Sequence, residues 1–409
     1  MSKFLLLAFR NVFRNRRRTL MTLLMVSGGV ASLLLGGGYF ARMTQGLREN
    51  TIRNGLGHIQ IFTAEHFKRD EVRVLDTGID NWRQVAATVK SAEHVRGVAP
   101  RIEFYGMVSN GQKSSVYMGN AVDPDAERSL GFETYLDSGH DLDAQQTGEA
   151  EALIGIGLAK AMNVKVGEGL TLLAVTSDGA LNGIDVQIAG IVETGVEDLD
   201  ARYLRITLDA AQRLLQSSRV TNLVVGLDAT ANTDLVYNEL MPRLNGLTQQ
   251  MAMKKWIDLA TYYKQVRALF DGIFVFMGVI VFFMVLMSNI NTLLMSMFER
   301  TREIGTMLAM GTPHAWIVGL FMAEAGLLGL MGAVIGVACG NLAGSALNAL
   351  NLRMPPPPGM AVSIPFYVLH VPAIMIGSSI LVIVSLVLAS ILPAVRASRI
   401  RITEALAHV

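Results

Sequence analysis

Apolar positions are distributed very unevenly along the 409 residues. Four runs are almost free of charge: roughly Leu20–Tyr39, Ile273–Met297, Ala315–Leu350 and Val368–Leu392. A helix needs roughly 20 apolar residues to cross about 30 Å of hydrocarbon, and each run meets that requirement. Between the first and second runs lies a long, mostly polar stretch, about Arg42–Arg267, whose apolar residues recur with strand-like and helix-like periods. The pattern predicts a membrane protein with one transmembrane helix, a folded module, and then three more transmembrane helices. In residue ranges it reads as a leading helix over 1–19, spans over 20–43, 268–298, 314–350 and 366–393, the module over 44–267, a connecting helix over 299–313, a short loop over 351–365 and a tail over 394–409.

Basic residues orient this layout. Lys3, Arg10, Arg14, Arg16, Arg17 and Arg18 precede the first span, Arg300 and Arg302 follow the second, and Arg396, Arg399 and Arg401 follow the fourth. The 351–365 loop carries only Arg353. Both termini are therefore expected in the cytoplasm, with the 44–267 module outside. Met354-Pro355-Pro356-Pro357-Pro358-Gly359 cannot be helical, because proline lacks the N–H and clashes with the preceding turn, so it is expected to be a stiff outer connector. Ahead of the first span, Phe4, Leu5, Ala8, Phe9, Val12 and Phe13 follow helical spacing with Arg10 and Arg14 on another face. That is the pattern of an interfacial helix along the inner membrane surface. The apolar run after Arg18 is too long for a cleavable signal and is expected to stay as an anchor. Gly28, Gly29 and Gly36–Gly38 in the first span, and Gly326, Gly329, Gly332, Gly336 and Gly340 in the third, predict faces for close helix packing.

The module reads as α+β. Strands are predicted at Gly57–Phe62, Val98–Tyr105, Ser115–Met118 and Leu223–Leu227, with helices at Trp82–Val95, Leu208–Leu215 and Thr233–Leu244. Glu151–Val192 differs, with short β-like runs (Leu170–Val175, Asp185–Ile191) between Gly-rich turns, and reads as a mostly β insertion. Trp256–Arg267 keeps helical periodicity into the second span and predicts a continuous helix.

Composition excludes several functions. Apolar residues make up 51% and charged residues 17%, while the net charge of +1 gives no case for nucleic-acid binding. The single cysteine, Cys339, permits no internal disulfide and no Cys-based metal cluster. His58, His66, His94 and His140 lack the spacing of a zinc site, and Glu193, Glu197, Asp198 and Asp200 lack that of a calcium loop. Gly155-Ile156-Gly157 is a bare glycine pair without meaning for nucleotides, and no phosphate-binding G-x-x-x-x-G-K-[ST] loop occurs, so the chain is not expected to hydrolyse ATP itself. Glu324 is a carboxylate well inside the third span. A proton relay would need carboxylates or histidines that the other spans lack, so a packing role is expected. Asn289 and Asn291 are placed to hydrogen-bond between helices.

One segment decides the reading. Glu299-Arg300-Thr301-Arg302-Glu303-Ile304-Gly305 and Leu308-Ala309-Met310-Gly311 form a short amphipathic stretch between the second and third spans. Its apolar positions Ile304, Met307 and Leu308 suit docking into a groove on a cytoplasmic partner. This run resembles the coupling-helix motif of the FtsX-like, MacB/LolC/LolE-type permeases of type VII ABC transporters. Arg10-Asn11-Val12-Phe13-Arg14-Asn15-Arg16-Arg17-Arg18-Thr19-Leu20 resembles the family's start, and Pro393-Ala394-Val395-Arg396-Ala397-Ser398-Arg399-Ile400 with Glu404-Ala405-Leu406 resembles its end. Ile402 departs from the family's usual proline.

The resemblance covers essentially the whole chain. It implies a bacterial inner-membrane permease whose periplasmic domain combines a porter-like part with a β-rich insertion, a MacB-like core. It implies a non-catalytic subunit that binds no cofactor, with ATP and Mg bound by a separate ATPase dimer. Further implied partners are a second permease copy or paralogue, membrane lipids, and a periplasmic adaptor or lipoprotein carrier. The ATPase-coupling residues would be Glu299, Arg300, Arg302, Glu303, Ile304, Gly305, Met307, Leu308 and Gly311, with Arg396, Arg399 and Glu404 as tail contacts. The implied action is mechanotransmission for lipoprotein release, the branch that Gly57–Phe62 resembles. The alternatives are MacB-like efflux of peptides or small molecules in a tripartite system, and FtsX-like regulation of a cell-wall hydrolase.

Overall fold

The computed structural model describes residues 2–67, 75–132, 134–143, 150–194, 197–247, 249–354 and 364–400. The proline run 355–358, Ile402 and Glu404 lie outside that set. The chain forms two compact units, one built from the long helices and one from residues 46–264.

Among the described residues four helices are long and apolar enough to cross a membrane: Arg16–Thr51, Thr261–Glu299, His314–Ala349 and Pro372–Ser398. A separate leading helix, Ser2–Arg14, ends at Asn15. Two of the long helices run past their apolar stretches, the first through polar Thr44–Thr51 and the second from Thr261. At a rise of 1.5 Å per residue, a 39-residue helix is about 58 Å long, nearly twice the hydrocarbon thickness.

Val26, Val30, Leu33 and Leu34 of the first long helix pack with Val281, Val285, Ala325, Val382 and Leu386 from the other three. Glycines set how closely they approach. A Cβ on Gly332 would lie 2.3 Å from Val26 Cγ1, and one on Gly336 would lie 2.7 Å from Val30 Cβ and 2.8 Å from the Ser27 carbonyl oxygen. Dispersion contacts, not water exclusion, drive helix association in lipid, so the missing side chains allow the contact. Asn289 Nδ2 donates to the Leu386 carbonyl at 3.1 Å, a bond between the second and fourth long helices, whereas Asn291 is exposed.

The 46–264 unit is built on one sheet of ten strands. These are β1 (Ile59–Thr63), β2 (Val95–Ser109), β3 (Ser114–Val122), β4 (Leu136–Gly139), β5 (Ala150–Gly155), β6 (Gly169–Val175), β7 (Leu181–Val192), β8 (Tyr203–Thr207), β9 (Asn222–Leu227) and β10 (Met251–Lys255). Their order is β10-β1-β9-β2-β3-β8-β5-β7-β4, and β6 pairs with both β2 and β7. That double pairing closes β2, β3, β8, β5, β7 and β6 into a ring. The 15-residue β2 makes this possible: Val95–Arg101 pairs with β9, and Gly106–Ser109 pairs with β6. The β insertion expected from sequence is therefore continuous with the rest of the sheet.

Inside the ring lie Ile102, Phe104, Tyr117, Ile154, Leu172 and Leu204, all essentially inaccessible to solvent. Phe104 and Tyr117 meet edge to face at 5.8 Å. Gly119 opposite Phe104 makes room for them, since a Cβ there would sit 2.5 Å from the Phe104 ring. The helix expected over Trp82–Val95 stops at Lys90, and His94 takes a left-handed backbone (φ 68°) before β2 begins. The helix expected from Trp256 is also interrupted. A turn at Trp256–Leu259 ends at Ala260, whose ψ of 66° is incompatible with a helix, and the long helix restarts at Thr261.

Two histidines in this unit report opposite environments. Burial lowers the His58 pKa; its Nδ1 accepts from the Leu227 N–H at 3.1 Å. A hydrogen bond to Asp228 at 2.8 Å raises that of His94. Nuclear magnetic resonance titration should place His58 below, and His94 above, the usual value near 6.5. His94 then supports folding below pH 6.5 and loses that support as pH rises through its folded pKa. His58 does the reverse, favouring the fold above pH 6.5 and opposing it as pH falls. Gly119→Val should cost about 1–3 kcal/mol by overpacking the ring, read as a lower unfolding temperature.

Candidate coupling site

The second long helix ends at Glu299, and Arg300 leaves helical geometry at φ −107°, ψ 10°. A nine-residue helix follows, Thr301–Ala309. It closes with the Gly311 N–H donating to the Leu308 carbonyl at 2.9 Å and the Thr312 N–H donating to the Met307 carbonyl at 3.1 Å. That paired closure needs a left-handed residue after the cap, and Gly311 supplies it at φ 84°. Pro313 then caps the third long helix.

This segment is amphipathic, but its apolar side is already occupied. Ile304 is fully buried among Leu293, Met297, Ile317, Phe321, Ala394 and Ala397, with Met307 and Leu308 at the margin. The sequence pattern assigned these three residues to an external groove. The ends of the second, third and fourth long helices provide the apolar surface instead. Gly305 and Thr301 are buried with Ile304, while Arg302, Glu303, Thr306, Met310 and Gly311 face outward. Arg396 and Arg399 are exposed near the same cluster, and His314 Nδ1 contacts the Ser398 carbonyl oxygen.

Arg300 is the residue whose placement departs most from a surface role. Its side chain is 7% exposed and its Nη1 donates to both Glu324 oxygens, at 3.0 and 3.2 Å. The same carboxylate accepts from Asn11 Nδ2 of the leading helix at 2.6 Å. The guanidinium also lies 5.6 Å from the Phe321 ring centre. Glu324, expected from sequence to have a packing role, is thus paired from the connecting segment. Two outer ion pairs run alongside: Arg14 to Glu303 at 2.6 Å and Arg18 to Glu299 at 3.6 Å. Burial pushes the Glu303 carboxyl up, but hydrogen bonds and charge from Arg14 and then Arg300 more than offset this and hold it below the usual carboxylate range.

The leading helix is fastened by apolar contact as well. Ala8 and Val12 are buried, and Phe4 meets Trp316 edge to face at 5.5 Å. Leu6, Phe9 and Phe13 remain exposed. Sequence reasoning used Arg14 and Arg18 to orient the chain and Asn11 only as part of the family's start. The spacing of three did place Asn11 and Arg14 on one face of the leading helix, whereas Arg18 lies past the break at Asn15 on the first long helix. What the arrangement can do is mechanical: three elements meet at one buried carboxylate, and a load on any of them reaches the other two.

Arg300→Met alone should destabilise the helical unit by about 3–5 kcal/mol, because it leaves the buried Glu324 charge without a cation, and Glu324→Leu should cost less, because Arg300 keeps Glu303 at 3.3 Å. The double variant should recover most of that loss. Thermal unfolding in detergent checks both outcomes.

The comparisons agree on the family. The FtsX-like permease C-terminal model matches residues 273–402, and the MacB-like periplasmic core domain model matches residues 19–242, more than half of the chain. The lipoprotein-releasing system transmembrane protein LolE of Haemophilus influenzae is 26% identical over 67% of this chain and 65% of its own length. LolC of Neisseria meningitidis serogroup B is 21% identical over 67% of each chain. The macrolide export ATP-binding/permease protein MacB of Sodalis glossinidius is 23% identical over 84% of this chain and 53% of its own. The aligned regions thus span about two thirds or less of these relatives. The chain belongs to the FtsX-like permeases that carry a MacB-like periplasmic core domain.

Proposed function

We propose that this chain is a non-catalytic permease subunit of an ABC transporter that works by mechanotransmission. In this reading the 46–264 unit is periplasmic, with a porter-like part and a β-ring insertion, one transmembrane helix precedes it and three follow it, and both termini are cytoplasmic. ATP and Mg act on a separate ATPase dimer that contacts the segment 299–311. The observation that carries the reading is the buried Arg300–Glu324–Asn11 junction behind that segment. A contact that only touched lipid headgroups would not require a charged tie at its back. With Ile304 turned inward, the working surface is Arg302, Glu303, Thr306 and Met310, with Arg396 and Arg399 nearby.

The second long helix supports a paired assembly. Only 11% of its apolar window is buried, and Phe276, Phe283 and Met287 are exposed. Lipid or a second permease chain covers such a face. The most direct function is release of lipoproteins from the inner membrane, supported by likeness to LolE and LolC. The match to the MacB-like core domain supports a second reading, efflux of peptides or small molecules.

Charge reversal at Arg302, which makes none of the ion pairs described above, tests the working surface. In a reconstituted complex, Arg302→Glu should leave the permease and ATPase bound or weakly bound, and reduce stimulation of ATP hydrolysis by cargo at least about tenfold, the equivalent of about 1.4 kcal/mol. Wild-type stimulation in an intact complex would contradict the assignment.

A further inference from the structure

The outer face of the strand ring carries a cavity of about 430 Å³ that coupling does not use. Its floor is formed by β2, β3 and β8, whose alternate residues point away from the ring interior. Register aligns them in two rows. Glu103 pairs with Asn120 and Asn120 with Arg205; Tyr105 pairs with Met118 and Met118 with Tyr203. Neighbours within a row are about 5 Å apart, and the rows are about 7 Å apart along the strands. One row is polar and the other is aromatic and thioether.

The polar row holds an unmet demand. Asn120 Oδ1 and Arg205 Nε are buried and make no hydrogen bond among the described residues. Arg205 Nη1 reaches Thr134 Oγ1 at 3.3 Å. The neighbouring Arg101 differs, because the Glu127 carboxylate satisfies its Nε and Nη2 at 2.7 and 2.8 Å. A buried donor and a buried acceptor are both expensive to leave unmade, and native interiors rarely do so without a reason. Arg205 meets Thr134 and the Tyr203 side chain, but its Nε still needs an acceptor, and Asn120 Oδ1 needs a donor. One residue of an extended peptide presents both, its N–H and its carbonyl oxygen, on the same edge. An inorganic anion offers acceptors only and would face Asn120 Oδ1 and the Glu103 carboxylate unfavourably.

We propose that this cavity binds a short extended peptide segment of another polypeptide, the N–H and carbonyl of one residue over Glu103, Asn120 and Arg205 and an apolar or aromatic side chain over Tyr105, Met118 and Tyr203. Neither unpaired atom is open to solvent, so the Asn120 amide and the Arg205 guanidinium rotate as the segment enters. The site lies wholly within the 46–264 unit and stands whether or not the permease reading does.

Calorimetric titration of the full chain in detergent with N-acetyl-phenylalaninamide tests it, with benzyl alcohol as an amide-free control. Asn120→Asp supplies a carboxylate that pairs with Arg205 inside the wall and removes the demand. Saturable binding of the amide by the wild-type chain, weakened at least tenfold in Asn120→Asp with an unchanged unfolding temperature, is expected. Tyr105→Ala, at an exposed position, should weaken binding as well and serves if Asn120→Asp fails to fold. No saturable binding, equal binding of benzyl alcohol, or unaltered binding in a folded variant would overturn the proposal. A photo-crosslinker at Tyr135 in intact membranes separates the sources of the segment. A product carrying labelled palmitate comes from an acylated protein and an unlabelled one from a non-acylated protein, and either keeps the site.

Discussion

A single carboxylate organises the helical unit. Glu324 sits inside a long apolar helix, where an unpaired charge costs on the order of 3 kcal/mol on insertion scales. Arg300 and Asn11 offset part of that cost by meeting it from two other elements. The pairing fixes where the chain must turn after Glu299, since Arg300 has to leave the helix and point inward to reach its partner. The turn then places Ile304 on the apolar cluster at the helix ends and leaves Arg302 and Thr306 facing outward. Orientation of the segment is thus a consequence of one buried ion pair.

Buried ion pairs are poor sources of stability, because desolvation offsets the attraction. They are good at specifying one arrangement out of several. An apolar contact alone would let the short Thr301–Ala309 helix slide on its cluster, as dispersion is tolerant of register. A guanidinium nitrogen held between both oxygens of one carboxylate, with Asn11 as a further donor, tolerates far less. That difference fixes the segment's orientation as well as its adhesion.

Much of this was legible in the sequence, and what was missed has physical causes. The apolar runs stand out because lipid imposes a length and polarity requirement that few other structures meet. The strands Leu223–Leu227 and Leu170–Val175 showed in their apolar content, and β10 (Met251–Lys255) did not, because a Met- and Lys-rich strand at the sheet edge has no such signature. Ring closure through β2 was invisible, since a 15-residue strand that pairs with β9 and then β6 along one edge and with β3 along the other reads locally as one ordinary strand. At the site, the amphipathic pattern located the segment correctly but not the direction of its apolar face, because periodicity says which residues share a face and not what covers them. Asn11 was missed for a related reason: a lone amide shows its role only when its carboxylate partner, 313 residues away in sequence, is known.

The central claim is that the leading helix, the Thr301–Ala309 helix and the start of the third long helix move as one body. Pulsed electron spin resonance between labels at the exposed positions Phe9 and Thr306, in a chain with Cys339 replaced by serine, measures this directly in the assembled complex. The account predicts one narrow distance that stays the same with and without trapped ATP. A shift of several ångströms, or a broad distribution in either state, would contradict it.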